Sequence, residues 1–180
     1  MTKEELIAQF DCNGPGIAGN LFGLPFTPQS AELVIVPVPW EVTVSYHAGT
    51  ARAPQAIVDA SAQVDLSMKE IPGAWKLGIS ILPIPASLHE ESTKLRALAA
   101  AHIRALESGQ RENAVDPIVP SINEACENLN IYVRSTVQKW LNEKKMVALL
   151  GGDHSTPLGF LRALSERHDR FGVLQIDAHA

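Results

Sequence analysis

Residues 146–155 read MVALLGGDHS, and residues 172–180 read GVLQIDAHA. Each is a short apolar run that ends in a polar cluster. Met146 to Leu150 and Gly172 to Ile176 have the continuous aliphatic character of strands covered on both faces. The stretch between them, about Thr156 to Arg167, reads as a helix. Strand, helix, strand predicts a parallel pair of neighbouring strands joined by a crossover. The two polar clusters then fall at the carboxyl ends of those strands, where open α/β sheets bind ligands.

The same alternation continues upstream. Leu33 to Val38 is an aliphatic strand ended by Pro37 and Pro39. Pro54 opens a helix over Gln55–Gln63, with Ala56, Ile57, Ala60 and Val64 on one side. Lys76 to Leu82 reads as a strand stopped by Pro83 and Pro85. A long helix over Leu88–Glu107 has Ser87 and Glu90 as a capping box and Gly109 just past its end. Its buried stripe is Leu95, Leu98, Ala99, His102, Ile103 and Leu106, with His102 read as a core residue rather than a ligand. A second capping box, Ser121 with Glu124, opens a helix over Ile122–Asn142. Its inner face is Ile122, Cys126, Leu129, Val133, Val137, Trp140 and Leu141. At the start, Thr2 caps a short helix over Lys3–Phe10, and Asp11 to Ser30 is an irregular arm rich in Gly, Pro and Asn. The expected fold is α/β: a three-layer α/β/α sandwich around a mainly parallel sheet. No linker divides the chain, so one domain is expected over residues 1–180.

Composition narrows the function classes. Of 180 residues, 46% are apolar and 19% charged, which is a folded rather than a disordered profile. The net charge of −5 comes with no basic stripe, which argues against nucleic acid as a partner. No apolar stretch approaches the ~20 residues that span a bilayer, so no membrane partner is expected. The charged N-terminus MTKEELIAQF is unlike a secretory leader. Cys12 and Cys126 show no CxxC pairing and read as two free thiols of a reducing compartment. A cytoplasmic protein is expected.

The chemistry gathers in the two clusters. The glycine pair 151–152 lets the backbone turn away from its strand and brings His154 to the mouth of the crevice. Asp177 and His179 point the same way if strand geometry persists, because side chains alternate with a period of two. Imidazole with carboxylate suits a first-row divalent metal. Each cluster alone has a plainer reading. GGDHS can be a tight turn in which Asp153 caps the next helix, and Asp-x-His can be a surface pair. Together, at the ends of successive strands, they favour metal.

GGDHS followed by IDAHA resembles the ureohydrolase family: arginase, agmatinase, formimidoylglutamase, guanidinobutyrase and their relatives. The segment VPVPWEVTVSYHAGTARAPQAIVDAS, residues 36–61, is similar to the family's upstream pattern. The matching positions are Ser45, Tyr46, Gly49, Thr50, Pro54, Ala56, Ile57, Ala60 and Ser61. The SYxxGT segment leans toward the agmatinase-like branch. The resemblance implies an arginase-like sandwich and a metal-dependent hydrolase that releases urea from a small cationic guanidino or amidino substrate. It implies His154 on one metal, Asp177 bridging two, His179 on the second, and Asp153 orienting the site from behind. The metals are implied to be two Mn2+, with Ni2+ in some relatives, and the assembly a homo-oligomer, a trimer or hexamer. Two such ions ~3.5–4 Å apart bring the pKa of a shared water toward neutrality, which a resonance-stabilised guanidinium needs.

Other features depart from the family pattern. The aspartate expected two places after His179 would fall at position 181, and a later aspartate pair and a proton-shuttling histidine have no counterpart in residues 1–180. The expectation is therefore the N-terminal part of such a domain, cut short at its C-terminal end, with the activity of this chain alone in question. His47 stands where many relatives have arginine, and Ala53 where they have glycine. Tyr46 and His47 are read as substrate or subunit-interface contacts, or else as an ordinary exposed loop. Two alternatives stay open: a zinc-dependent deacetylase of the same architecture, and a non-catalytic interaction module with an incomplete metal site.

Overall fold

The computed structural model describes residues 1–44, 47–109 and 118–178. Its frame is a three-stranded parallel sheet of β1 (Leu33–Val38), β2 (Ile79–Ile81) and β3 (Met146–Gly151), in the order β2-β1-β3. Leu33 pairs with Ile79 on one side and Met146 on the other, and β3 runs beside β1 as far as Val38 opposite Gly151. The helices are α1 (Lys3–Gln9), α2 (Ala53–Ser61), α3 (Ala86–Glu107), α4 (Ile118–Asn142) and α5 (Leu158–Ser165). None of the helices among the described residues is long and apolar enough to cross a membrane.

The main core lies where α4 crosses the sheet. Val36 and Val38 share one face of β1, and both are fully buried against Leu129, Val133 and Val137 of α4. The helical spacing of these α4 residues makes that contact continuous. Helix α5 packs against α4 through Gly159, and its Ala163 joins the same core. A Cβ there would lie 2.5 Å from the Asn130 carbonyl oxygen and 2.8 Å from Val133 Cβ, so only glycine permits this approach. A smaller core holds the N-terminal arm. Trp75 sits between Phe10 and Phe26, with ring centroids 5.2 and 6.5 Å away. Thr2 and Glu5 form a reciprocal capping box at the head of α1, as Thr2 suggested.

Several element boundaries differ from the sequence reading. The strand expected over 76–82 is only Ile79–Ile81, because Ala74–Leu77 coils into a 3₁₀ turn that buries Trp75. Neither of the later capping boxes forms. Helix α3 starts at Ala86 behind Pro85, which places Ser87 inside the helix. Helix α4 already includes Ile118 and Pro120, ahead of Ser121; proline is tolerated in a first turn, where no N–H is needed. Leu98 and Leu106 are exposed rather than buried, because α3 turns Ser92 and Ala99 toward the core and leaves these two leucines outside it. His102 is half-buried.

The largest difference concerns residues 172–176. They form no strand, and Val173, Leu174 and Ile176 are exposed, Ile176 at 92%. An extended segment becomes a strand only with a hydrogen-bonded neighbour, and none of the described residues supplies one here.

Candidate metal centre

The carboxyl ends of β1 and β3 lie side by side, so the chain leaving one meets the chain leaving the other. Gly152 N donates to the Val38 carbonyl (3.1 Å) and Asp153 N to the Trp40 carbonyl (3.0 Å). The ladder between the strands is thus extended into the GGDHS segment. Residue 152 must be glycine for want of space: a Cβ would stand 1.7 Å from the Trp40 oxygen. Its φ is not in the left-handed region. The glycine pair therefore serves close approach here, more than the sharp turn inferred from sequence.

Asp153 closes the turn on itself. Its Oδ1 accepts from Ser155 N (2.9 Å) and Ser155 Oγ (2.5 Å), while its carbonyl accepts from Thr156 N (3.2 Å) and Thr156 Oγ1 (2.9 Å). This is an Asx turn, in which a short carboxylate imitates the next stretch of backbone. It does not cap α5, which begins at Leu158 without a side-chain cap. The second carboxylate oxygen, Oδ2, is buried with no hydrogen-bond partner among the described residues. Cys126 of α4 feels this carboxylate: burial pushes its thiol up, and the charge of Asp153 adds to the shift.

His154 follows, with 78% of its side chain exposed. Its Nδ1 lies 3.3 Å from Oδ2 of Asp177, whose side chain is only 13% exposed. Gln175 Nε2 donates to the same oxygen at 2.9 Å. Asp177 reaches His154 although the segment before it forms no strand. His179 and Tyr46 lie outside the described residues. His47 is exposed on the loop after β1. Among the described residues, no group of three or more His, Cys, Asp and Glu is close enough to hold a metal ion.

The pair that does meet fits a divalent ion. Nitrogen and oxygen donors bound side by side to one ion at roughly 2.0–2.2 Å stand about 3 Å apart. The Nδ1–Oδ2 separation agrees with that spacing. The donor types suit manganese, nickel or zinc. The unpartnered, buried Oδ2 of Asp153, one residue before His154, is the kind of polar atom that marks a functional site.

Two residues of this region escaped the sequence reading. Trp40 holds the GGDHS turn through its carbonyl, which accepts from Asp153 N. Glu41, next to it, holds the following loop: its Oε2 accepts from Gly49 N (2.5 Å), Thr50 Oγ1 (3.1 Å) and Ala51 N (3.2 Å). Helix α3 fixes the same stretch from behind. The fully buried Ser92 accepts from Glu41 N (3.0 Å), and Arg96 Nη1 donates to the Val42 carbonyl (3.4 Å). Burial raises the Glu41 pKa, but the bonds from Gly49, Ala51 and Thr50 outweigh it and hold the carboxyl below its ordinary value. The one sequence signal was an acidic side chain shortly before a Gly-Thr that opens a helix.

Comparison with known proteins covers the whole of this region. N(1)-aminopropylagmatine ureohydrolase of Thermus thermophilus is 27% identical over 161 residues, covering 89% of this chain and 44% of that protein. The Synechocystis enzyme of the same name is 28% identical over 153 residues, covering 83% of this chain and 40% of that protein. The crystal structure of agmatine ureohydrolase of Thermoplasma volcanium shares the fold, with a TM-score of 0.53 at 20% identity, over 89% of this chain and 41% of that one. The chain thus spans less than half the length of these relatives. The arginase family model matches residues 31–180, from just before β1 through His154 and Asp177, and the chain belongs to the arginase family.

Proposed function

We propose that this chain carries part of the active site of a ureohydrolase acting on a small, linear, cationic guanidino compound of the agmatine kind. Water attacks the guanidinium carbon, the bond from that carbon to the alkyl nitrogen breaks, and urea and a primary amine leave. In this reading His154, Asp177 and His179 would together hold two divalent ions. The ions are manganese, or nickel, and they supply water acidic enough to react near neutral pH. The chains assemble as trimers or hexamers.

The observation that carries the reading is the approach of His154 Nδ1 to Asp177 Oδ2, 3.3 Å apart, beyond the end of β3. Around it, each residue has a task. Asp153 keeps the turn closed through Ser155 and Thr156, which fixes the backbone of His154. Gln175 orients the Asp177 carboxylate. The exposed imidazole of His154 is open to a ligand arriving from solvent. Carboxylate ligation offsets part of the charge of the ions, which keeps the site from repelling a cationic substrate. The names of the Thermus and Thermoplasma relatives support an agmatine-like substrate, and the arginase-family match favours urea release over deacetylation.

The test is metal analysis of the purified chain with urea release over agmatine, N(1)-aminopropylagmatine and arginine. Two manganese or nickel ions per chain, lost in H154A and D177A together with urea release, support the proposal. A single zinc with amide hydrolysis would favour the deacetylase alternative. Neither metal nor turnover would leave an interaction module.

A further inference from the structure

We infer that Glu41 is a positioning residue: it locks the loop of His47–Ala51 and the start of α2 to the GGDHS turn, and so sets the substrate-facing loop in place. The kinetic part of this inference rests on the function proposed above; the structural part does not.

Trp40 and Glu41 form a two-sided clasp. The Trp40 carbonyl takes the Asp153 N–H on one side. The Glu41 carboxylate takes three donors on the other, all from residues 49–51. Loop and GGDHS turn are therefore joined through two adjacent residues of one backbone. That backbone cannot trail, because the wholly buried Ser92 hydroxyl holds Glu41 N. Bonds to an ionised carboxylate are about twice as strong as neutral ones, so Glu41 binds the loop far more firmly than a neutral acceptor would. Gly49 and Ala51 sit at the head of the 3₁₀ turn Thr50–Arg52, which runs straight into α2. Their N–H groups are among the donors that a helix start leaves without partners. Glu41 is the acceptor that makes this helix start compatible with a fixed loop. His47 lies two residues before Gly49, on the same tether.

The experiment compares the full chain with E41A and E41Q by residue-resolved hydrogen exchange, together with kinetics on agmatine. In E41A, protection of the Gly49 and Ala51 amides is expected to fall by roughly tenfold or more, from the loss of a charge-assisted acceptor. Amides of β1 and β3 should keep their protection. E41Q, which retains a carbonyl oxygen, should restore part of the lost protection. In turnover, E41A should raise KM several-fold while kcat changes much less. Unchanged exchange at Gly49 and Ala51 would overturn the inference. So would a uniform loss of protection across the sheet, which would make Glu41 a residue of general stability, or a fall in kcat with KM constant. If the wild-type chain binds no metal and releases no urea, the proposed function fails by itself, and the exchange comparison alone decides the role of Glu41.

Discussion

The carbonyl oxygen of Trp40 occupies the place where a side chain on residue 152 would begin; a Cβ there would lie 1.7 Å from it. The same carbonyl accepts the Asp153 N–H, so the contact and the hydrogen bond position one another. Gly152→Ala cannot be absorbed by a rotamer change, because the opposing atom is backbone. It should lower stability by about 1–3 kcal/mol, the usual cost of overpacking. It should also move His154 away from Asp177, so metal affinity should fall further than stability alone explains. Denaturant midpoints and calorimetric metal titration check the two effects separately.

Asp153 allows its turn and its charge to be told apart. Asp153→Asn keeps an oxygen for Ser155 and removes the negative charge beside Cys126. The Cys126 thiol, held up first by burial and then by that charge, should alkylate faster in D153N at the same pH. Asp153→Ala also loses the turn and should cost about 1–2 kcal/mol more. Mass-spectrometric alkylation rates at Cys126, with unfolding curves for both variants, decide this. An unchanged rate in D153N would mean that the carboxylate does not reach the thiol.

Glu41 should impose an acid limit on stability. Its carboxyl is held below the ordinary 4.5, so its contribution is fully present above that pH and is lost as pH falls through the lower, folded value. Stability of the wild type should therefore drop more steeply below about pH 4.5 than stability of E41Q, which has no such group to protonate. The two curves should converge at lower pH. Parallel curves would show that the Glu41 bonds contribute nothing.

Contact between α4 and α5 should depend on Gly159 more than on the charges that decorate it. Gly159→Ala would press a methyl against the Asn130 carbonyl and should cost about 1–3 kcal/mol. Arg162→Ala removes an ion pair with Glu127 at the solvent surface and should change stability little. Thermal unfolding of the two variants ranks them.

The frame was legible where pattern and packing agree. Strand β1 matches the run Leu33–Val38 because its residues are apolar on both faces, and α4 matches its stripe because the stripe meets the sheet. Capping was less legible. Ser87 and Ser121 have the right neighbours for a cap, but Pro85 and Pro120 start or tolerate the helix earlier. The run Gly172–Ile176 has strand character yet no partner among the described residues, and strand character alone does not supply one. In the site, the polar clusters following the strand pattern pointed to His154 and Asp177, which the structure brings within 3.3 Å. Trp40 and Glu41 were hard to see because their partners are mostly backbone N–H groups, which carry little sequence signal; the Thr50 hydroxyl is the exception.

Val38 sits opposite Gly151, although one lies early in the chain and the other late. Closing so long a loop is slow, and β1 cannot complete its second edge until the stretch through β3 has been made and docked. Trp40 and Asp153 meet only at that moment. The site is therefore expected to form late in folding, and ion binding by a refolding chain should lag behind helix formation. Ion binding could then serve as a kinetic reporter of the final docking step.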